Sequence, residues 1–560
     1  MALVMALVLI TGLLLAGCGN KNDLEAKGRN VSNPENQEAL VLDKATWQYD
    51  SEHDVYWQVG VSYCANPASD AERLAVYVPG TYMEATENGD GSFTCTVNLA
   101  GEVGKYRADT APIIVRTGIN GYGADQSSPT SYNYDAVAAY LKAGYIYVHP
   151  GCREIQDGTP LGATDMKAAI RYIKYNNNLI PGDAGRVFAF GVGTAGTMSA
   201  IVGASGDSDL YFPYLEAVGA AMLDQEGNYI SDGVAGVACW NPVGALDQAN
   251  AAYEWMAGQY GTDGSRTEGT WTAALSKDLA AAYGDYINGL ALESPDGKTL
   301  TLDATTVGIC NAGTYYDFLK SIVEESLNGF LTATAWPYTP PEQTIDPPVT
   351  YQTKADYVQS LNPPEAEPWV TYDEATDKAT VHSLQGYVTS QCPSARPVGA
   401  FDALDRTAPE NLLFGTPKAG PLHFDRTMAG LISEHQDTYG ALSGFDLEIV
   451  KDYGGDLEIK DDLGTSSDVR ADMVNPLFFL SEGYQGYRTS SVAPSWRISI
   501  GLPQADMGLP AQVNLAMALG DYPGVETSLF QAVWGQDRTA PESSGTSWAN
   551  LIDWIDQCIE

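Results

Sequence analysis

The 560-residue chain predicts an α/β protein. Its core is a mostly parallel sheet flanked by helices, with a large insertion and an N-terminal β-rich extension. Three observations predict this. From residue 112 to 240, short apolar β-favouring runs alternate with helical patterns, as in a parallel sheet covered by helices. The same alternation returns after Asn475 and runs on to the terminal helix. Between them, from about Asp247 to Arg470, long helical stretches and Pro-rich segments replace it, as expected of a lid inserted over the sheet edge.

The chain opens on MALVMALVLITGLLLAGCGN, an apolar run long enough for a signal sequence and short for a stable membrane span. It closes on Leu15-Ala16-Gly17-Cys18, which resembles the bacterial lipoprotein lipobox. That resemblance makes 1–18 a signal peptide and Cys18 a lipid-bearing mature N-terminus, ahead of the alternative of an ordinary cleaved signal peptide. No Lys or Arg precedes the apolar run, which points to a start upstream of Met1 or a misassigned start codon. Residues 19–40 are polar and aperiodic, as a flexible tether should be. The expected location is extracytoplasmic, with membrane contact through the N-terminal lipid only.

Residues 41–246 form the first part of the core. Trp47 to Ala111 is β-rich, with strands at Tyr56–Tyr63 and Leu74–Pro79. Pro112–Gly118 is a buried strand opening onto the Gly-rich loop Asn120–Gly123, and Tyr134–Ala143 a helix. Tyr145–His149 is a strand and Asp165–Tyr175 an amphipathic helix. Arg186–Phe190 is the next strand, and Ala217–Leu223 and Gly236–Trp240 both suggest the one after. In the insertion, 247–470, helices are expected over Gln248–Gly258, Trp271–Tyr283 and Tyr315–Leu331. The second part of the core, 471–560, has strands at Trp496–Gly501 and Leu529–Trp534 and a helix over Gln512–Leu519. A terminal helix runs from Ser547, a plausible N-cap, to Cys558.

Net charge is −41, from 71 acidic and 30 basic residues, which disfavours nucleic acid and anionic membrane surfaces as partners. Beyond Cys18 there are seven scattered cysteines and no C-x-x-C pair, so neither a zinc site nor a dense disulfide framework is expected. Cys64 and Cys95 are the nearest pair for a bridge, and buried free thiols are the commoner state. No metal and no cofactor is expected; oligomeric state is not encoded in any motif.

The organising stretch is Arg186–Ala200, RVFAFGVGTAGTMSA. Strand, tight Gly-rich turn and helix are the setting of a nucleophile elbow in an α/β-hydrolase fold, where a Ser at the centre of G-x-S-x-G attacks an ester carbonyl. Gly191 and Ala195 bracket the central position, and that position is Gly193.

Several stretches in order resemble the bacterial tannase family and neighbouring feruloyl-esterase-like hydrolases. They include PGCRE (150–154), DMKAAIRYIKYN (165–176), the elbow, GASGDSDLYFPYLEAVGAAM (203–222) and WNPVGALDQANAAYEW (240–255). AFDALDRTAPENLLFG (400–415) and SWRISIGLPQADMGLPAQVNLAMAL (495–519) continue the series. The resemblance implies hydrolysis of galloyl- or feruloyl-type esters by a Ser–acid–His triad. Here the Ser position falls on Gly193. The His position falls on Arg538 in Trp534-Gly535-Gln536-Asp537-Arg538-Thr539, and a guanidinium cannot act as a base near neutral pH. None of the five histidines follows His435. The acid position falls on Asp506, free to pair with Arg538 or to lie exposed.

Substitutes for the nucleophile are weak. Thr194 is one residue out of register and β-branched; Ser199 lies a turn into the helix; Ser205 and Ser547 lack the strand or the following chain. His423 and His435 lie in the insertion, where an isolated His is more often structural. Oxyanion-type donors are better kept, with Gly121 in the loop and the Thr194 N–H after the elbow. The expectation is a non-catalytic binding or accessory pseudoenzyme whose pocket takes a small aromatic or sugar-like ligand. Alternatives are an esterase using other residues and a structural cell-surface protein.

Overall fold

The computed structural model describes residues 34–118, 127–262, 264–304, 311–341, 348–504, 508–536 and 539–560. The N-terminal strands are β1 (Gln48–Asp50), β2 (Val55–Ser62) and β3 (Arg73–Pro79). Two small hairpins follow, β4 (Met83–Glu87) with β5 (Phe93–Val97) and β6 (Glu102–Val103) with β7 (Tyr106–Arg107). Then come β8 (Ile113–Arg116), β9 (Ile146–Pro150), β10 (Val187–Val192) and β11 (Gly236–Trp240). The insertion carries one hairpin, β12 (Val370–Asp373) with β13 (Lys378–Val381), and the chain returns through β14 (Ser495–Leu502) and β15 (Thr527–Trp534).

Nine strands make one sheet in the order β1-β2-β3-β9-β8-β10-β11-β14-β15. The six from β9 to β15 run parallel, and β1 to β3 join antiparallel at one side. This is an α/β-hydrolase-like sheet with extra elements, as the alternation predicts. Strands covered on both faces read as continuous apolar runs, because no face meets water. All five residues of β9 and of β11, and all eight of β14, are buried. The elbow helix, Thr194–Ala204, is buried from Ala195 to Ala204 and packs on β10 and β11. Its small residues permit this: a Cβ on Gly203 would lie 2.9 Å from Val237.

From β8 the chain moves outward to β9, then returns to the other side of β8 at β10. Strand order therefore reverses between β8 and β10, where an open parallel sheet leaves a crevice outside its carboxyl ends. The elbow and Thr117 stand at that crevice.

Several expected elements differ. Ala217–Leu223 is no strand. The helix Phe212–Ala217 ends, Gly219 turns at φ +65°, and the run's backbone takes hydrogen bonds from the 65–66 loop (Ala65 N to Gly219 O 3.1 Å, Asn66 N to Val218 O 3.0 Å). Within Tyr134–Ala143 only Ala138–Lys142 is helical, and the helix from Trp271 runs on to Leu290. Thr546, not Ser547, caps the terminal helix: Thr546 is extended and its hydroxyl accepts from Ala549 N at 3.4 Å, while Ser547 is the first helical residue. Cys64 and Cys95 are both free and buried.

Candidate active site

Residues 187–192 extend as β10, and the chain then reverses into the elbow helix through one residue, Gly193, at φ +60°, ψ −122°. L side chains rarely adopt this conformation, so the turn is strained for anything but glycine. Its neighbours are small for a separate reason. A Cβ on Gly191 would lie 2.4 Å from the Ala195 carbonyl, and one on Gly196 would lie 2.6 Å from Trp240 O. Among the described residues, a Cβ on Gly193 would meet no atom within 4 Å. The elbow is therefore built to closest approach on both flanks and open at its centre. The Thr194 N–H is among those a helix start leaves without an intrahelical acceptor, in place for an oxyanion-type role.

Asn241 ties this turn to the neighbouring loops. Gly193 N–H donates to Trp240 O at 2.7 Å, and Asn241 follows in the left-handed region at φ +46°. The Asn241 side-chain oxygen accepts from Gly501 N (2.9 Å) and Gln504 Nε2 (2.7 Å), and its amide donates to Thr539 O (2.9 Å). One buried side chain thus holds the loops after β14 and β15, where the acid and His positions fall. Glu542, within the second of those loops, anchors it to the sheet and the terminal helix. It accepts from Trp240 Nε1 (2.8 Å), Arg497 (2.6 Å) and Asn550 (2.7 Å). Asn241 and Glu542 carried no motif in the sequence; the faint signal is an Asn directly after an apolar strand, since Asn tolerates the left-handed conformation.

Gly121, Asp506, Arg538 and Cys18 lie outside the described residues, as does the proposed Asp506–Arg538 pair. The substitutes can be placed. Ser199 is fully buried, its hydroxyl 2.6 Å from Thr117 Oγ1 and 3.1 Å from Ala195 O. Ser205 is equally buried and donates to Ile201 O at 2.6 Å. Thr194 begins the helix, and Ser547 begins the terminal one.

The histidines have their own partners. His53 faces Asp50 at 2.7 Å, His382 faces Thr371 at 2.8 Å, and His435 faces Asp278 at 3.0 Å. His149, at the end of β9, has its pKa pushed down to about 3 by burial and then by Arg116. His423 forms a feature unforeseen in the sequence. Its Nδ1 is 2.6 Å from Asp402, which also accepts from Asn411 Nδ2 and the Phe424 and Asp425 N–H groups. The ring stacks on Tyr453 at 3.6 Å and is fully buried, with Nε2 unpartnered. This carboxylate–imidazole pair is sealed inside the insertion. None of these histidine bonds reaches an elbow residue.

Beneath the insertion, Tyr253, Tyr387, Cys392, Leu502 and Gln504 surround a cavity of about 20 Å³. That is about one water, too small for an aromatic ring. The two larger cavities lie at the outer edge of the sheet, along β15, and contain no elbow residue.

No family model and no curated protein matches the chain. Solved structures do. The native tannin acyl hydrolase from Lactobacillus plantarum superposes with a TM-score of 0.66 at 24% identity, over 93% of this chain and 99% of that one. A tannin acyl hydrolase in complex with 3,4-dihydroxybenzoate matches with a TM-score of 0.66 at 25% identity over the same shares. The Fusobacterium nucleatum tannase matches with a TM-score of 0.63 at 22% identity, over 90% of this chain and 95% of that one. The chain is tannase-like in fold along most of its length.

Proposed function

We propose that this tannase-like chain is a binding or accessory protein whose ester-hydrolysing triad has been lost. One observation carries the reading. Gly193 holds the strained turn that presents a nucleophile, in space open among the described residues, without a side chain to attack. Arg538 in the His position, by the resemblance, adds a second and sufficient loss. Two observations support the reading: Ser199 and Ser205 are buried with hydrogen bonds to helix carbonyls, and the hydrogen bonds of His53, His382, His423 and His435 reach no elbow residue.

The ligand class follows from the neighbours, one of which is described with 3,4-dihydroxybenzoate bound. We expect a small aromatic or sugar-like ligand. The protein would sit outside the cytoplasm, tethered by lipid on Cys18.

Purified protein assayed on galloyl, feruloyl and p-nitrophenyl esters should show no turnover above buffer. Turnover abolished by changing one residue at the elbow would overturn the reading. Thermal-shift screening with phenolic acids and sugars should find a stabilising ligand; a flat screen favours a structural surface protein.

A further inference from the structure

Among the described residues the outer edge of β15 has no strand paired to it, and the helix Thr314–Ala333 packs beside it. β15 is the last strand of the sheet and pairs only with β14, from Ser495 with Thr527 to Leu502 with Trp534. Thr527 N donates to Pro494 O (3.2 Å) and Gly535 N to Leu502 O (2.7 Å). In a parallel ladder both backbone groups of a residue point to one side and alternate along the strand. Odd-numbered residues therefore face β14, and Ser528, Phe530 and Ala532 turn N–H and C=O the other way. Among the described residues no strand pairs with that side. Proteins usually blunt such an edge with Lys, Pro, a very short strand or a covering helix, and here only the neighbouring helix is present. β15 is eight residues, TSLFQAVW, with no charge and no Pro.

A groove runs beside this edge. Its other wall is the helix Thr314–Ala333, which presents Thr314, Phe318, Ile322, Glu325, Gly329 and Ala333, a regular stripe down one side. The groove has a cavity of about 1080 Å³ that continues into one of about 480 Å³, with Ile322, Glu325 and Phe530 common to both. Eight strand residues span about 27 Å and twenty helical residues about 30 Å, so the walls match in length. Its lining includes the apolar Met517, Phe330 and Phe530. The rim is acidic: Glu293, Asp296, Asp317, Glu325 and Asp521 stand against Lys298, whose amino group is 2.6 Å from Asp296. Burial, and the charge of Glu293, hold the Asp521 carboxyl above its usual range, and a cation would relieve that repulsion.

We infer that this groove binds an extended segment of another protein as an added strand on β15, with apolar residues toward the apolar lining and Lys or Arg toward the rim. Main-chain bonds to Ser528, Phe530 and Ala532 would give affinity, and the carboxylates would select basic sequences. A second copy of this chain is a poor occupant, since each copy carries −41 and β15 offers no basic residue.

Fluorescence polarisation on the whole protein, with the labelled peptide acetyl-Lys-Val-Lys-Val-Lys-Val-Lys-Val-amide, tests this. The wild type should bind it with a Kd in the range of tens of micromolar at low salt. A peptide of the same charge with alternate amides N-methylated should bind at least about tenfold more weakly. Glu325→Lys should weaken binding of the parent peptide about fivefold or more. Ala532→Pro, which removes one free N–H, should weaken it similarly at an unchanged melting temperature. If that variant does not fold, the N-methyl comparison on the wild type decides alone. Equal binding of both peptides would reduce the groove to a patch of charge and overturn the inference, as would no binding. Light scattering that shows a dimer abolished by Glu325→Lys would assign the groove to a second copy and also overturn it.

Discussion

Gly191 and Gly193 are two residues apart and are glycine for different reasons. At Gly191 a methyl group would press into the Ala195 carbonyl at 2.4 Å, with backbone on both sides unable to yield. At Gly193 no described residue would meet a side chain, and the backbone conformation is what resists one. Gly191→Ala should therefore cost more than about 3 kcal/mol and leave little soluble protein. Gly193→Ala should cost about 1–3 kcal/mol of strain and stay folded. Urea denaturation of the two variants measures the contrast, and equal costs would mean the elbow is misplaced. Gly193→Ser should fold for the same reason. It should hydrolyse p-nitrophenyl acetate no faster than buffer, because a hydroxyl without a base is a poor nucleophile. Gly193→Ser with Arg538→His should exceed that background if the triad was lost position by position. Turnover by the single variant would instead reveal a base already present.

At the scale of elements, side chains hold the loops after β14 and β15: Asn241 bonds to both, and Gln536 and Glu542 bond to each other within the second. From a left-handed backbone, Asn241 bonds to Gln504 after β14, to Thr539 after β15 and to Gly501 near the end of β14. Asn241→Ala leaves Gly501 N–H and Thr539 C=O without partners and forces alanine to positive φ. A loss of about 2–4 kcal/mol is expected, with limited proteolysis appearing first after β14 and β15. Asn241→Gly relieves the backbone but not the bonds, so it should fall between wild type and Asn241→Ala. An Asn241→Gly protein as stable as wild type would show that the hydrogen bonds contribute nothing. The sheet itself was legible from residue patterns, because a strand covered on both faces is mostly apolar: β11 is so throughout, and β14 buries Ser495, Arg497 and Ser499 among apolar residues. The apolar run Ala217–Leu223 looks the same and is not a strand. Its partners are Ala65 and Asn66, far away in sequence, which no local pattern announces.

The whole molecule carries its acidity inside as well as outside. Asp247 and Asp425 are fully buried; burial raises their pKa to about 6 and about 7. Glu72, buried beside Asp165, is raised by desolvation and by that carboxylate's charge, against the pull of Arg153. An unfolded chain releases these protons near pH 4, whereas the folded protein keeps them higher. The folded state therefore binds more protons between these limits. Their stabilising effect is complete at low pH and is lost as pH rises through the folded pKa. Stability should fall as pH is raised from about 4 to 7, by up to about 1.4 kcal/mol per pH unit for each such group. Glu72→Gln should flatten part of that slope in pH-dependent denaturation. A wild-type curve rising across this window would contradict the assignment. With a net charge of −41, mutual repulsion should also be screened by salt. The melting temperature should therefore rise between low and moderate ionic strength.

The sequence by itself determined the alternation of strands and helices, the elbow and the glycine at its centre. Each depends on side chains within a few residues of one another, where periodicity and turn chemistry act. Tertiary structure alone decided which residues met across the chain. It buried Ser199 and His423 completely, set Asn241 between two loops, and left β15 at the rim of the sheet. Those outcomes depend on how layers pack over hundreds of residues. Nothing within a strand such as TSLFQAVW states whether a neighbour will lie on its far side.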